Sequence, residues 1–122
     1  MASRPRVLLA EDHAGVARAL LDVLQPDCDV LGIVTDGRDA IREAVRLQPV
    51  VSIVDVNMPT INGLDICRLI TTSNRDAKVI VISGMLDDSI VEDALAAGAV
   101  DCIHKARAAT QLVRAIKHAW AD

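Results

Sequence analysis

Five short apolar runs, rich in valine and isoleucine, recur at intervals along the chain. They are continuous rather than alternating, which is typical of strands buried on both faces of a parallel sheet. The runs cover residues 7–10, 30–34, 50–54, 79–82 and 100–103. The pattern therefore predicts five buried strands.

The stretches between these runs carry apolar residues at the spacing of a helix face. Val16, Leu20 and Leu24 show this spacing in the first stretch, and each later stretch has a similar set. Residues that end helices follow three of the stretches, at Pro26, Pro49 and Gly98. The fourth helix is expected to begin at an N-cap supplied by Asp87 or Asp88.

The alternation of strands and helices predicts an α/β fold of five βα units. Because crossovers are right-handed and helices cover both faces, we expect a doubly wound five-stranded parallel sheet of order 2-1-3-4-5 with five helices. A closed barrel of eight such units needs about twice the length. The 122 residues suit a single domain over 1–122, and they contain no repeat or linker.

The composition is that of a folded globular chain, with 52% apolar and 25% charged residues. The formal net charge is −4, so the basic surface of a nucleic-acid-binding domain is not expected. Trp120 is the one aromatic residue, which argues against stacking on bases or on a flavin ring.

Three widely spaced cysteines, Cys28, Cys67 and Cys102, form no metal-binding pair and imply no disulfide framework. The N-terminal residues contain no apolar signal core. No apolar run approaches the roughly eighteen residues that a membrane span needs. We therefore expect a soluble cytoplasmic domain with no membrane partner.

Polar residues end the apolar runs, and in open α/β sheets ligands bind at those carboxyl ends. The first run ends in Glu11 and Asp12, and the third ends in Asp55. In the predicted order these two strands are neighbours, so the three carboxylates should converge in one pocket. Ser83 and Lys105 follow the fourth and fifth runs and are expected on its far side.

Three carboxylates so close together repel one another, and protonation or a bound cation relieves that repulsion. Mg²⁺ suits carboxylates, waters and a backbone carbonyl. With Lys105 as a fixed positive charge and Ser83 as a donor, the cluster can accept an anionic phosphoryl group. Asp55 is the candidate nucleophile and would form an aspartyl phosphate.

Short motifs lie at the strand ends in a particular order and spacing. They are the acidic pair within residues 8–12, the segment 55–59 with Gly63 after it, Ser83, and Gly98-Ala99 leading to Lys105. Each motif alone is weak, but the whole set in this order is specific. From Val7 to about Trp120, the chain resembles a response-regulator receiver domain of two-component signalling.

The resemblance implies a role for each residue of the site. Asp55 becomes the phosphoacceptor and a Mg²⁺ ligand, and Asp12 becomes a direct Mg²⁺ ligand. Glu11 becomes a ligand through water, and the backbone carbonyl of Asn57 becomes a further protein contact. The remaining two residues are the switch hydroxyl, Ser83, and the phosphate-pairing lysine, Lys105.

The resemblance also implies the partners. The expected donor is a sensor histidine kinase or a phosphotransfer protein, and the family allows a homodimer through helix four, strand five and helix five. The domain would be a signalling phosphoacceptor rather than an enzyme, although it would assist its own phosphorylation and dephosphorylation.

His13 after the acidic pair is similar to a branch whose receivers often precede a helix-turn-helix output domain, so transcription regulation is one expectation. The last helix runs to Asp122 without a stop, which favours a chain trimmed from a longer regulator.

Three positions depart from the family pattern. Gly84 stands where a small alanine is usual, Cys102 takes the place of the usual switch aromatic, and Ala106 follows Lys105 where proline is common. A trans Lys105–Ala106 bond is therefore expected. His104 is interpreted, like His13, as a surface or capping residue.

Three other readings stay open at this point. A flavodoxin-like nucleotide binder would share the strand order, but it would need a phosphate-binding loop where this chain has Glu11-Asp12-His13. A metal-dependent aspartyl phosphatase would need a cap or a further acid–base residue. A degenerate receiver, used only to bind proteins, would not need the full set of acceptor residues.

Overall fold

The computed structural model describes residues 4–121. Residues 1–3, considered above for a signal sequence, and the predicted helix end at Asp122 lie outside that range. The strands are β1 (Arg6–Ala10), β2 (Asp29–Val34), β3 (Val51–Asp55), β4 (Lys78–Ser83) and β5 (Asp101–His104). The helices are α1 (Ala14–Leu24), α2 (Gly37–Leu47), α3 (Gly63–Ser73), α4 (Asp88–Ala96) and α5 (Ala108–Ala121), with a 3-10 turn at Lys105–Arg107 before α5.

The five strands form one parallel sheet in the order β2-β1-β3-β4-β5. The predicted strand order and helix number are therefore confirmed. Every predicted strand start differs from the structure by one residue. β1, β2 and β4 begin one residue before their apolar runs, whereas the runs of β3 and β5 begin one residue too early, at Val50 and Val100. Both residues donate a ladder-like hydrogen bond, to Arg6 O and Val79 O respectively, but precede the regular strand. An apolar run does not mark where regular pairing begins.

The sheet separates two apolar layers because alternate strand residues point to opposite faces. In β1, Val7 and Leu9 pack with residues of α1 and α5, whereas Leu8 packs with residues of α2, α3 and α4. Both faces of the central strands are therefore buried, as the continuous apolar runs predicted. Among residues 4–121, no helix has the length and apolar character needed to cross a membrane.

Side-chain caps begin four helices where each leaves the sheet edge. Each cap accepts a hydrogen bond from the backbone N–H three residues later, which satisfies a donor that the helix leaves open. The capping residues are His13, Asp36, Asn62 and Asp87. Of the two N-cap candidates for α4, Asp87 is the cap, and His13, expected as a surface or capping residue, caps α1. Gly98 adopts the left-handed conformation (φ 104°) just after α4.

Gly63 lets α3 begin directly against the end of β3. Its N–H donates to Val56 O at 2.8 Å. A Cβ at this position would lie 2.1 Å from Asp55 O and 2.7 Å from Val56 Cα. These are backbone atoms that carry the candidate phosphoacceptor, so a larger residue would move Asp55 itself.

Gly63→Ala is expected to lower the free energy of unfolding by about 1–3 kcal/mol, because the clash is with backbone rather than with a flexible side chain. Urea unfolding followed by circular dichroism measures the change. Gly32→Ala in β2 is the matched control, since a Cβ there meets nothing within 4 Å. Equal midpoints for the two variants would contradict the close approach at Gly63.

Candidate functional site

The carboxyl ends of β1 and β3 bring three acidic residues together. Oxygens of Glu11, Asp12 and Asp55 all lie within 4.8 Å of one another. Glu11 and Asp55 expose only 0% and 2% of their surface, whereas Asp12 is exposed. The predicted convergence is confirmed, and one carboxylate of the three faces solvent.

Lys105 bridges the two buried carboxylates. Its Nζ lies 2.8 Å from Asp55 Oδ2, as a hydrogen-bonded ion pair, and 2.7 Å from Glu11 Oε1, as an ion pair by distance. Lys105 follows β5, on the far side of the pocket as the sequence predicts, and its side chain reaches back among the carboxylates. As the one cation among these strand-end residues, it takes the position where the negative charge is most concentrated.

Backbone N–H groups hold the second oxygen of each buried carboxylate. His13 N–H donates to Glu11 Oε2 at 2.9 Å, and Asn57 N–H donates to Asp55 Oδ1 at 3.1 Å. Each acceptor is two residues before its donor, so each local turn orients its own carboxylate. The carboxylates therefore have defined orientations before any ligand binds.

Burial and the neighbouring charges shift the pKa values of Glu11 and Lys105. Burial is the largest influence on Glu11 and raises its pKa, against the lowering effects of Lys105 and of the His13 N–H. Burial alone would lower the pKa of Lys105, but hydrogen bonds and charge attraction from Asp55 and Glu11 outweigh it, and the net pKa is raised. Lys105 thus stays a cation at neutral pH.

The cluster fits a hard divalent cation. All three candidate ligands are carboxylates, the donor type that Mg²⁺ prefers. Glu11 Oε1 is buried and makes no hydrogen bond within residues 4–121 beyond its ion pair with Lys105. Asp12 makes no side-chain hydrogen bond or ion pair in the same described range, so its carboxylate is available to an ion from solvent.

Ser83 lies at the end of β4 and turns toward the following loop. Its buried hydroxyl donates to Met85 O at 2.5 Å and accepts from Met85 N–H at 3.2 Å. The hydroxyl therefore holds the loop between β4 and α4 in this state. Gly84 has open space around it, because a Cβ there would meet nothing within 4 Å.

Cys102 and His104 lie on β5, the edge strand beside this loop. Cys102 is half-buried and borders a cavity of about 300 Å³ that is also lined by Leu86 and His104. His104 Nδ1 accepts a hydrogen bond from Ala106 N–H at 3.0 Å. The expected capping role of His104 is confirmed, and the Lys105–Ala106 bond is trans, as expected.

Sequence reasoning missed two contacts of this site. Met85 was not singled out, because a backbone carbonyl has no signature in the sequence. The pairing of Lys105 with Glu11 was also missed, although a single lysine among three strand-end carboxylates was a usable signal.

A family model and the sequences of known proteins match nearly the whole chain. The family described as "Response regulator receiver domain" matches residues 7–117. Chemotaxis protein CheY of Thermotoga maritima is 34% identical over 112 residues, with 91% of this chain and 93% of CheY covered. The transcriptional regulatory protein LiaR of Bacillus subtilis (strain 168) is 35% identical over 116 residues, covering 93% of this chain and 55% of LiaR.

Solved structures agree with these relatives. The response regulator domain of Thermotoga maritima CheB superposes with a TM-score of 0.90 at 30% identity, covering 98% of both chains. The chain spans about half of LiaR and 30% of a Thermotoga maritima protein-glutamate methylesterase, but nearly all of CheY. Receiver domains are signalling domains rather than enzymes. This chain belongs to the response-regulator receiver domain family of two-component systems.

Proposed function

We propose that this domain accepts a phosphoryl group on Asp55 from a sensor histidine kinase or a phosphotransfer protein, with Mg²⁺ as cofactor. The observation that carries the proposal is the bridge made by Lys105, 2.8 Å from Asp55 and 2.7 Å from Glu11. This ammonium lies beside the proposed nucleophile and can pair with the charge that arrives on it. A module used only for protein binding would not need this arrangement.

In the proposed step, a carboxylate oxygen of Asp55 attacks the phosphorus of a phosphohistidine. The new P–O bond forms as the P–N bond breaks, and the donor imidazole keeps the electron pair and gains a proton from solvent. The Asn57 N–H holds the carboxylate in position at 3.1 Å. Lys105 balances charge on the incoming phosphoryl oxygens.

The metal would be held by Asp12, Asp55 and the backbone carbonyl of Asn57, with Glu11 acting through water. When bound, Mg²⁺ supplies positive charge that offsets repulsion between the carboxylates and the phosphoryl group. Burial and existing contacts support this division, since Glu11 is engaged by Lys105 and the His13 N–H whereas Asp12 faces solvent.

Incubation with Mg²⁺ and acetyl phosphate is expected to add one phosphoryl group to the intact mass. Asp55→Asn should abolish the addition, because an amide oxygen is a poor nucleophile at this site. Asp101→Asn, an exposed aspartate at the start of β5, is the matched control and should label like wild type. Equal labelling of the Asp55→Asn and wild-type proteins would refute the assignment.

Asp12→Ala is expected to weaken Mg²⁺ binding more than about tenfold, and more than Glu11→Ala does, because only Asp12 is proposed as a direct ligand. Isothermal titration of the unphosphorylated protein measures both affinities. Urea unfolding of each variant separates lost binding from lost folding. Equal losses of affinity in two folded variants would contradict the division of roles.

The signal would leave the pocket through Ser83 and the loop after β4. Ser83 can donate to the phosphoryl group only by releasing Met85 O, to which it now donates. Cys102 is too small to fill the vacated space as an aromatic ring would. We therefore propose that residues 84–90 shift in backbone, which Gly84 makes easier.

Structures with and without beryllofluoride, a phosphoryl mimic, are expected to differ at residues 84–90 while the Cys102 rotamer changes little. The physical reason is the lost Ser83–Met85 contact beside an open Gly84. An unmoved loop together with a large rotamer change at Cys102 would contradict the mechanism. Ser83→Ala, which lacks the hydroxyl, should show the loop already displaced without the mimic.

A second copy of this chain is the proposed partner for the face formed by α4, β5 and α5. The exposed acidic residues of α4 include Asp88 and Glu92. Arg107, just before α5, and Arg114 of α5 are also exposed, and each lines a cavity together with Cys102 of β5. A two-fold axis along this face would set acidic α4 of one copy against basic α5 of the other. Sedimentation of the same beryllofluoride samples tests it, with Arg114→Glu expected to remove any doubling of mass.

Transcription control is the proposed output of a longer parent protein. LiaR is a transcriptional regulatory protein and DevR/DosR of Mycobacterium tuberculosis is a DNA-binding transcriptional activator, and this chain covers 55% and 52% of them. The receiver itself is proposed to contact proteins rather than nucleic acid, given its net charge of −4. The parent open reading frame tests this proposal. A DNA-binding domain after the receiver would support transcription control, and a parent without one would contradict it.

A further inference from the structure

The turn that carries Lys105 is closed by a histidine side chain. His104 has extended backbone (φ −64°, ψ 130°) and caps the 3-10 turn Lys105–Arg107. Its Nδ1 accepts from Ala106 N–H at 3.0 Å, and Lys105 O accepts from Ala108 N–H. Lys105 thus begins its turn between two hydrogen bonds that fix the local backbone.

Ala106 is the reason that this cap is needed. A proline at this position would fix φ and leave no N–H to be satisfied. Alanine leaves φ free and adds a donor at a helix start, where the N–H has no partner within the turn. In this chain the imidazole of His104 takes that donor.

The ion pairs of Lys105 do not by themselves fix its backbone. Its ammonium sits on a flexible four-carbon stem that can keep both carboxylate contacts while the backbone shifts. Its position therefore depends on the turn from which the stem leaves. His104 holds that turn by accepting a hydrogen bond from the Ala106 N–H.

We propose that His104 is a positioning residue for Lys105: by accepting from the Ala106 N–H, its imidazole holds the turn from which the lysine side chain leaves. The inference rests on the proposed phosphoacceptor function. His104 touches neither the phosphoryl group nor the metal ligands in this proposal; it acts through the Ala106 N–H and the turn. It requires Nδ1 without a proton, and therefore the Nε2–H tautomer.

The direct test compares two substitutions at one position. His104→Leu keeps bulk and removes the acceptor, whereas His104→Asn keeps an acceptor that can reach the N–H two residues later. We expect His104→Leu to slow phosphorylation by acetyl phosphate about three- to tenfold, the range of one ordinary hydrogen bond, and His104→Asn to restore most of the rate. His118→Leu, an exposed histidine on α5, is the matched control and should leave the rate unchanged.

A readout independent of phosphorylation is solvent exchange of the Ala106 amide proton by NMR, without Mg²⁺. Exchange should accelerate in His104→Leu and not in His104→Asn, while the urea midpoints of all three proteins stay close. A merely structural role for His104 would instead lower the urea midpoint of His104→Leu and leave Ala106 exchange no faster than the lost stability explains. That outcome would overturn the proposal.

A wild-type protein that accepts no phosphoryl group would refute the proposed function, whereas a labelled wild type with an equally fast His104→Leu would refute only this inference.

Discussion

The salt bridge from Lys105 to Glu11 and Asp55 is the interaction on which this site depends. Two carboxylates buried at 0% and 2% exposure would be unfavourable if left without a counter-charge. The ammonium compensates both carboxylates, at 2.7 Å from Glu11 and 2.8 Å from Asp55, and so joins the carboxyl ends of β1, β3 and β5. One ammonium group thus links β5 to β1 and β3 at the carboxyl ends of the strands, where phosphoryl transfer would occur.

The strand order makes this bridge feasible because it sets the distance that the lysine side chain must span. Neighbouring strands lie about 4.8 Å apart, so a residue after β5 is two strand spacings from β3, with β4 between. The extended side chain of a lysine spans this distance, and its ammonium reaches Asp55 Oδ2 at 2.8 Å. Ser83, at the end of the intervening β4, turns its hydroxyl toward Met85. Gly84 lies beside open space, since a Cβ there would meet nothing within 4 Å, so the loop after β4 has room to move.

Much of the fold followed from apolar periodicity, because strands and helices here differ sharply in that pattern. The order 2-1-3-4-5 then placed Glu11, Asp12 and Asp55 together without any knowledge of side-chain conformation. What periodicity cannot supply is direction: Lys105 turning back among the acids, or Ser83 turning away from them toward Met85. The first choice depends on buried carboxylates far away in the sequence, and the second depends on backbone atoms of Met85. The one-residue errors at Val50 and Val100 have a related cause, since an apolar side chain carries no information about where regular backbone pairing starts.

Charge balance explains why such a site should respond to a phosphoryl group. With all groups ionised, three carboxylates and one ammonium leave two negative charges in excess, which a divalent cation offsets. Phosphorylation then replaces the single negative charge of Asp55 with a phosphoryl group that carries up to about two, so the buried position gains about one negative charge. Donors must turn toward it, and Ser83 is the neighbouring hydroxyl now committed elsewhere. Releasing it frees Met85 O in an exposed loop, where water can take over the lost hydrogen bond. Releasing Met85 O therefore costs little free energy, because water replaces the lost hydrogen bond. Ser83 gains a charge-assisted hydrogen bond to the phosphoryl group. The balance favours the state in which Ser83 faces the pocket.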